Sequence, residues 1–135
     1  MILIDTSVMI DYFKGNITDK VVIFEKIIEN NMTFGISSYT YQELLQGAYN
    51  ETEFNNLKNY LSTQTIYFLP NNPEIYESAA KMYFNLRRKG KTIRSTIDIL
   101  ISQTAIYYDL FLLHNDHDFD IIAENITDLK ILDEI

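Results

Sequence analysis

The chain has no cysteine and only two prolines in 135 residues. Without cysteine there is neither a disulfide framework nor a thiolate metal site, and the composition agrees with a reducing compartment. So few prolines leave no long linker. A hydrophobic fraction of 47% predicts one compact domain over residues 1–135 with one core. Long apolar runs are missing as well, and none approaches the length that spans a bilayer. The opening MILIDTSVMIDYFKG has neither the basic start nor the long apolar middle of a signal peptide. The expected location is the cytoplasm, with no membrane partner. Positive charge is scarce too, with 11 Lys and Arg against 19 Asp and Glu and a net charge of −8. Taken alone, that balance argues against binding nucleic acid, because phosphate contacts need bases.

The bases that exist are unevenly placed. Lys81, Arg87, Arg88, Lys89, Lys91 and Arg94 fall in one short stretch. Such a run is often a solvated helix end. Here it lies just before Asp98, which brings it toward a candidate site.

Apolar runs and helical spacing predict alternating strands and helices. Strands are expected at Met1–Ile4, Met32–Ile36, Ile66–Leu69 and Leu110–Leu113, with an edge-like one at Leu129–Leu132. Helices are expected after Asp5, from Thr18 to Asn30, Tyr39 to Tyr49, Glu51 to Ser62, Pro73 to Lys89, Ser95 to Tyr108 and Asp118 to Glu124. Asp5-Thr6-Ser7 offers N-cap residues, and Pro73 suits a first helical turn. This alternation predicts an α/β fold in three layers, α/β/α, around a mainly parallel sheet of four to five strands.

Against this background Asp5, Glu43, Asp98 and Asp116 stand out, because each is an isolated acid beside an apolar run. An unpaired buried charge is costly, and converging carboxylates repel unless a cation neutralises them. Hard cations take oxygen ligands, so the set points to Mg²⁺ or Mn²⁺. In open parallel sheets ligands bind beyond the carboxyl ends of strands. Asp5 ends the first strand and Asp116 follows the fourth, so they lie side by side if those strands are neighbours. Each acid also has a plain explanation: Asp5 as an N-cap, Asp116 in a turn, Asp98 as a first-turn acid, Glu43 at the surface. All four together are harder to explain that way.

ILIDTSVMIDYFKG, SSYTYQELLQGA and STIDILISQTAIYYDLFLLHNDHDF occur in that order. Together they resemble the PIN-domain ribonucleases, especially the toxin half of VapBC-type toxin–antitoxin pairs. The resemblance covers essentially the whole chain and places the family's acids on Asp5, Glu43, Asp98 and Asp116. It implies a metal-dependent endoribonuclease, a hydrolase of RNA phosphodiesters using one or two ions of Mg²⁺ or Mn²⁺. Asp5, Asp98 and Asp116 would form the tighter metal shell, with Glu43 on a second ion or on water. Thr6 and Ser7 would support the site from the helix start. Arg87, Arg88, Lys89, Lys91 and Arg94 are the candidate RNA contacts. An antitoxin protein and a homodimer are the implied partners.

The chain departs from the family pattern at His114, where Thr or Ser commonly stands. That imidazole is expected either to bond backbone at the strand end, or to support the site by holding a metal-bound water or a carboxylate or, when protonated, by contacting substrate phosphate. Asn115 is a further candidate for support. Asp118 is a second acid near Asp116, which is favoured because it lies closer to the strand end. Asp11 and Asp120 are expected at the surface. Rival readings are a DNA-directed nuclease of the same fold and a catalytically silent RNA-binding or interaction module. A haloacid-dehalogenase-like phosphatase expects Asp where Ser7 stands, and a receiver domain expects a lysine that is missing.

Overall fold

A computed structural model describes residues 1–135. The strands are β1 (Ile2–Ile4), β2 (Phe34–Ser37), β3 (Thr65–Tyr67), β4 (Phe111–Leu113) and β5 (Lys130–Ile131). The helices are α1 (Thr6–Lys14), α2 (Asp19–Glu29), α3 (Ser38–Gln46), α4 (Glu51–Leu61), α5 (Pro73–Arg88), α6 (Thr96–Tyr107) and α7 (His117–Asn125). The strands form one sheet in the order β3-β2-β1-β4-β5, with every neighbouring pair parallel. The chain steps outward from β1 to β3, then crosses back to the other side of β1 for β4. The order therefore reverses between β1 and β4, the switch point beyond whose carboxyl ends folds of this kind place their ligands.

The sheet divides the buried side chains into two clusters rather than the single core expected. Side chains alternate across a strand, so Ile2 and Ile4 point to one face and Leu3 to the other. The first face packs Val8, Met9, Phe24, Ile27, Leu44 and Leu61, from α1 to α4. The second packs Ala79, Met82, Leu86, Ile99, Ile101 and Phe119, from α5 to α7. At about 25 cal/mol per Å² of apolar surface, both clusters contribute heavily to stability. Helix α6 has buried residues on several sides, including Ser102, Gln103 and Thr104, so it is a central helix and not a surface one.

Local chemistry sets the boundaries. Thr18 caps α2 through Val21 N–H, and Asn72 caps α5 ahead of Pro73. Strand β2 begins at Phe34 instead of Met32. Asn31 adopts a left-handed conformation (φ 52), and the Met32 amide is spent on the Ile27 carbonyl at 3.0 Å. Helix α3 stops at Gln46, before the expected Tyr49, where Gly47 caps it. Within β2, Gly35 has no room for a side chain. A Cβ there would lie 2.6 Å from both the Thr65 carbonyl oxygen and the Tyr67 ring. No helix is long and apolar enough to cross a membrane.

Candidate active site

Strands β1 and β4 are neighbours, so Asp5 and the loop after Leu113 meet at the switch point. The Asp5 amide donates to the Leu113 carbonyl at 2.9 Å. Its carboxylate caps α1, with Oδ2 accepting from Ser7 N–H at 3.0 Å and Ser7 Oγ–H at 2.6 Å. Ser7 Oγ in turn accepts the Asn115 amide at 2.9 Å. One oxygen of Asp5 is thus engaged with Ser7.

Three more acids are presented by helix starts. Asp98 lies in the first turn of α6, Asp116 caps α7, and Asp118 follows in the first turn of α7. Helix N-termini favour negative charge, which lets carboxylates gather there. One carboxylate oxygen each from Asp98, Asp116 and Asp118 lie within 4.8 Å of one another. This closest set differs from the expected Asp5, Asp98 and Asp116. Asp5, bonded to Ser7, lies near enough for its charge to act on Asp98, while Asp118 belongs to the set itself. Asp118 is the more buried of the pair, 6% exposed against a half-buried Asp116. Its Oδ2 accepts from Arg94 N–H at 3.3 Å and from Arg94 Nε–H at 3.2 Å.

Glu43 enters from α3. Its Oε1 accepts from Thr6 Oγ1 at 2.7 Å, and Thr6 Oγ1 lies 3.0 Å from Thr40 Oγ1. Thr40 is fully buried and continues to Ser37 Oγ at 3.3 Å, while Ser37 caps α3. Thr6 has one hydroxyl proton, so its bond to Glu43 leaves it as the acceptor from Thr40. Sequence reasoning passed over Thr40. The signal available was its place one helical turn before Glu43, on the same helix face.

His114 is 3% exposed and its ring packs against Phe119. Nδ1 accepts the Asp116 amide at 3.1 Å. Nε2 lies 3.2 Å from Asp120 Oδ1, out of line for a hydrogen bond. Burial holds the imidazole pKa below its ordinary value, although the Asp120 charge opposes this. A neutral ring that accepts at Nδ1 carries its proton on Nε2. His114 therefore bonds backbone and fixes the α7 cap, and it is too buried to reach a phosphate.

The acids feel one another. Burial pushes Asp5 up to about 6; its bonds to Ser7 oppose the shift, and the charge on Glu43 adds to it. Asp98 is pushed up to about 7, first by burial and then by the charges of Asp5, Asp116, Asp118 and Glu43. Two carboxylates pushed up in this way mark a site short of positive charge.

The PIN domain family model matches residues 2–125. The chain belongs to the PIN domain family. It is 32% identical to ribonuclease VapC11 of Mycobacterium tuberculosis over 134 residues, covering 96% of each chain. Among solved structures it is similar to VapBC-1 from nontypeable Haemophilus influenzae, with 25% identity, TM-score 0.71 and 98% of both chains covered. It also shares its fold with VapBC2 from Rickettsia felis bound to a DNA fragment from their promoter, with 21% identity, TM-score 0.72 and 98% of both chains covered.

Within this PIN domain the candidate bases take different positions. Arg87 lies over the Tyr83 ring and Arg88 over the Phe84 ring, on α5. Lys89 caps α5, and the Lys91 amide closes the same turn on the Leu86 carbonyl. Cations suit a helix C-terminus, which accounts for this part of the run. Arg94 alone among the candidates is ion-paired with the acids. Asp120 is exposed, as expected. Asp11 is half-buried and its Oδ2 lies 3.5 Å from Asn115 Nδ2, at the margin of the site.

Proposed function

We propose that this PIN-domain protein is a metal-dependent endoribonuclease and the toxin half of a toxin–antitoxin pair. The observation that carries the reading is the oxygen-only cluster of Asp98, Asp116 and Asp118 beside Asp5, at the switch point of a parallel sheet. The donor set suits Mg²⁺ or Mn²⁺, one or two ions, and the raised pKa values of Asp5 and Asp98 call for such a charge. Asp98, Asp116, Asp118 and Asp5 would hold it. A bound divalent cation supplies Lewis acidity toward phosphate oxygens and a lowered pKa for water.

The chain's own residues do the remainder. Thr6 and the Thr40 hydroxyl behind it aim Glu43 into the cleft, where its carboxylate orients water and takes up a proton. Ser7 holds Asp5 and the Asn115 loop in register. Arg94, with Arg87, Arg88, Lys89 and Lys91 farther out, offers positive charge to the RNA backbone.

The relatives include VapC ribonucleases and VapBC assemblies, and the same pairing is proposed here. A groove of about 320 Å³ between α1, α3 and α4 is lined by Ile10, Phe13, Leu44 and Leu57 and ends on Glu43. An antitoxin segment laid along it would deliver an arginine to the carboxylates, a pairing with strong charge-assisted bonds. A second apolar groove, with Tyr76, Ala79, Tyr83 and Leu100 between α5 and α6, suits a homodimer contact. The cytoplasm is the proposed compartment.

The deciding experiment is cleavage of total cellular RNA by antitoxin-free protein in Mg²⁺ or Mn²⁺, with new ends mapped. Discrete cuts should require metal, vanish with EDTA and be lost in Asp5→Asn and Asp98→Asn. Cuts that survive in both variants, or none from folded protein in any metal, would sink the nuclease reading.

A further inference from the structure

Arg94 joins the acidic cluster in two different ways. Its backbone N–H and its Nε–H both reach Asp118 Oδ2, at 3.3 and 3.2 Å. Its Nη2 lies 3.5 Å from Asp116 Oδ1. The guanidinium therefore spans two of the three carboxylates that come within 4.8 Å of one another. The two attachments differ in permanence. Asp118 has a side chain only 9% exposed, so its charge needs a standing partner, and the backbone amide gives it one. The Arg94 side chain is 77% exposed, and an ion pair made by so exposed a group is cheap to break.

We propose that Arg94 is a resident counter-ion of this site, displaced from Asp116 and Asp118 by the divalent cation and then free to hold an RNA phosphate. The inference rests on the metal-dependent nuclease reading above. A guanidinium carries one positive charge where the cation carries two, and both compete for the same carboxylates. Once the cation is in place, it repels the guanidinium. The backbone bond from Arg94 to Asp118 survives that exchange, so the loop keeps its position while the side chain swings outward. The bases on α5 do not substitute for it, since Arg87 and Arg88 lie over the Tyr83 and Phe84 rings. Metal loading and phosphate recruitment thus become one event. The cleft offers RNA a guanidinium only after its carboxylates have been neutralised.

The opposite arrangement is a clamp, in which Arg94 stays on Asp118 and orients it for the metal. The two differ in sign. Mn²⁺ binding to antitoxin-free protein without RNA should be measured by calorimetry for wild type, Arg94→Gln, Arg94→Lys and Asp98→Asn. Arg94→Gln should bind Mn²⁺ about three- to tenfold more tightly, Arg94→Lys should fall between it and wild type, and Asp98→Asn should bind far more weakly. In ¹H–¹⁵N spectra the Arg94 Nε–H signal, assigned by its loss in Arg94→Lys, should move on titration with Mg²⁺. RNA cleavage at saturating Mn²⁺ should be several-fold slower in Arg94→Gln despite its tighter metal. Equal or weaker Mn²⁺ binding by Arg94→Gln, with Asp98→Asn still defective, overturns the counter-ion and leaves the metal site standing. An Nε–H signal that ignores Mg²⁺ does the same. No Mn²⁺ binding by wild type or Arg94→Gln overturns both.

Discussion

The Ser7 hydroxyl joins the first and fourth strands of the sheet: it accepts the Asn115 amide at 2.9 Å and donates to Asp5 Oδ2 at 2.6 Å. With its acceptor role taken by an N–H, its single proton is committed to the carboxylate. Ser7→Ala should therefore remove two bonds at once, leave the Asn115 amide unpartnered and raise the Asp5 pKa further. The expected loss is about 1–2 kcal/mol of unfolding free energy, read by denaturant titration. A variant as stable as wild type with unchanged RNA cleavage would remove Ser7 from the site.

His114 gives a cleaner separation of chemistry from packing. Asn at this position can place an oxygen where Nδ1 now accepts the Asp116 amide, whereas Ala cannot. His114→Ala also empties the space against Phe119 and should cost about 2–3 kcal/mol. Metal affinity is expected to hold within a few-fold in His114→Asn and to fall about tenfold or more in His114→Ala. Equal affinities in the two variants would show that the Nδ1 contact does not govern the site.

The acids predict a pH dependence with a definite sign. Burial first of all pushes Asp5 up to about 6 and Asp98 up to about 7 in the folded chain, above the ordinary carboxylate range. Between about pH 4 and 7 the folded state binds more of these protons than the unfolded one, so their contribution to stability falls as pH rises. A cation must displace the same protons, so its affinity rises with pH and levels off above about 7. The Mg²⁺-induced increase in melting temperature should be small at about pH 5.5 and largest at about pH 8. A shift independent of pH would show that neither carboxyl is a ligand.

Gly35→Ala tests the sheet beneath the site. The new Cβ would meet the Thr65 carbonyl at 2.6 Å, which is backbone and cannot rotate aside. Strand β3 has to move away from β2, at about 1–3 kcal/mol, seen as a lower melting temperature. The four acids proposed to hold the metal hang from β1, β4 and the starts of α6 and α7, so metal affinity should change little. A large loss of metal binding in a folded variant would mean that β2 and β3 help to set the site.

Most of the fold was legible because each element has a local signature. The apolar run before Asp5, the caps at Thr18 and Asn72 and the Pro73 start all act within a few residues. The order of strands is not local, and neighbouring β1 and β4 could only be posed as a condition. The site was harder to read for the same reason. Asp118 ranks behind Asp116 in the sequence because distance along the chain from the strand end stands in for distance in space, whereas the fold brings both close to Asp98. The engagement of Arg94 with Asp118 joins residues 24 apart, and Thr40 with Thr6 joins residues 34 apart. Neither leaves a mark in spacing or periodicity. His114 was legible only as an alternative, since burial decides between backbone contact and a role toward phosphate.

The crossover that returns the chain to β4 has a consequence for synthesis. Asp5 and Glu43 are made well before Asp116 and Asp118, which lie more than 70 residues beyond Glu43. They reach the cleft only after β4 has paired with β1 and α7 has formed behind it. A nascent chain that has not yet reached α7 therefore lacks Asp116 and Asp118. The proposed metal site is therefore completed by α7, well after the segments that carry Asp5 and Glu43 have been made.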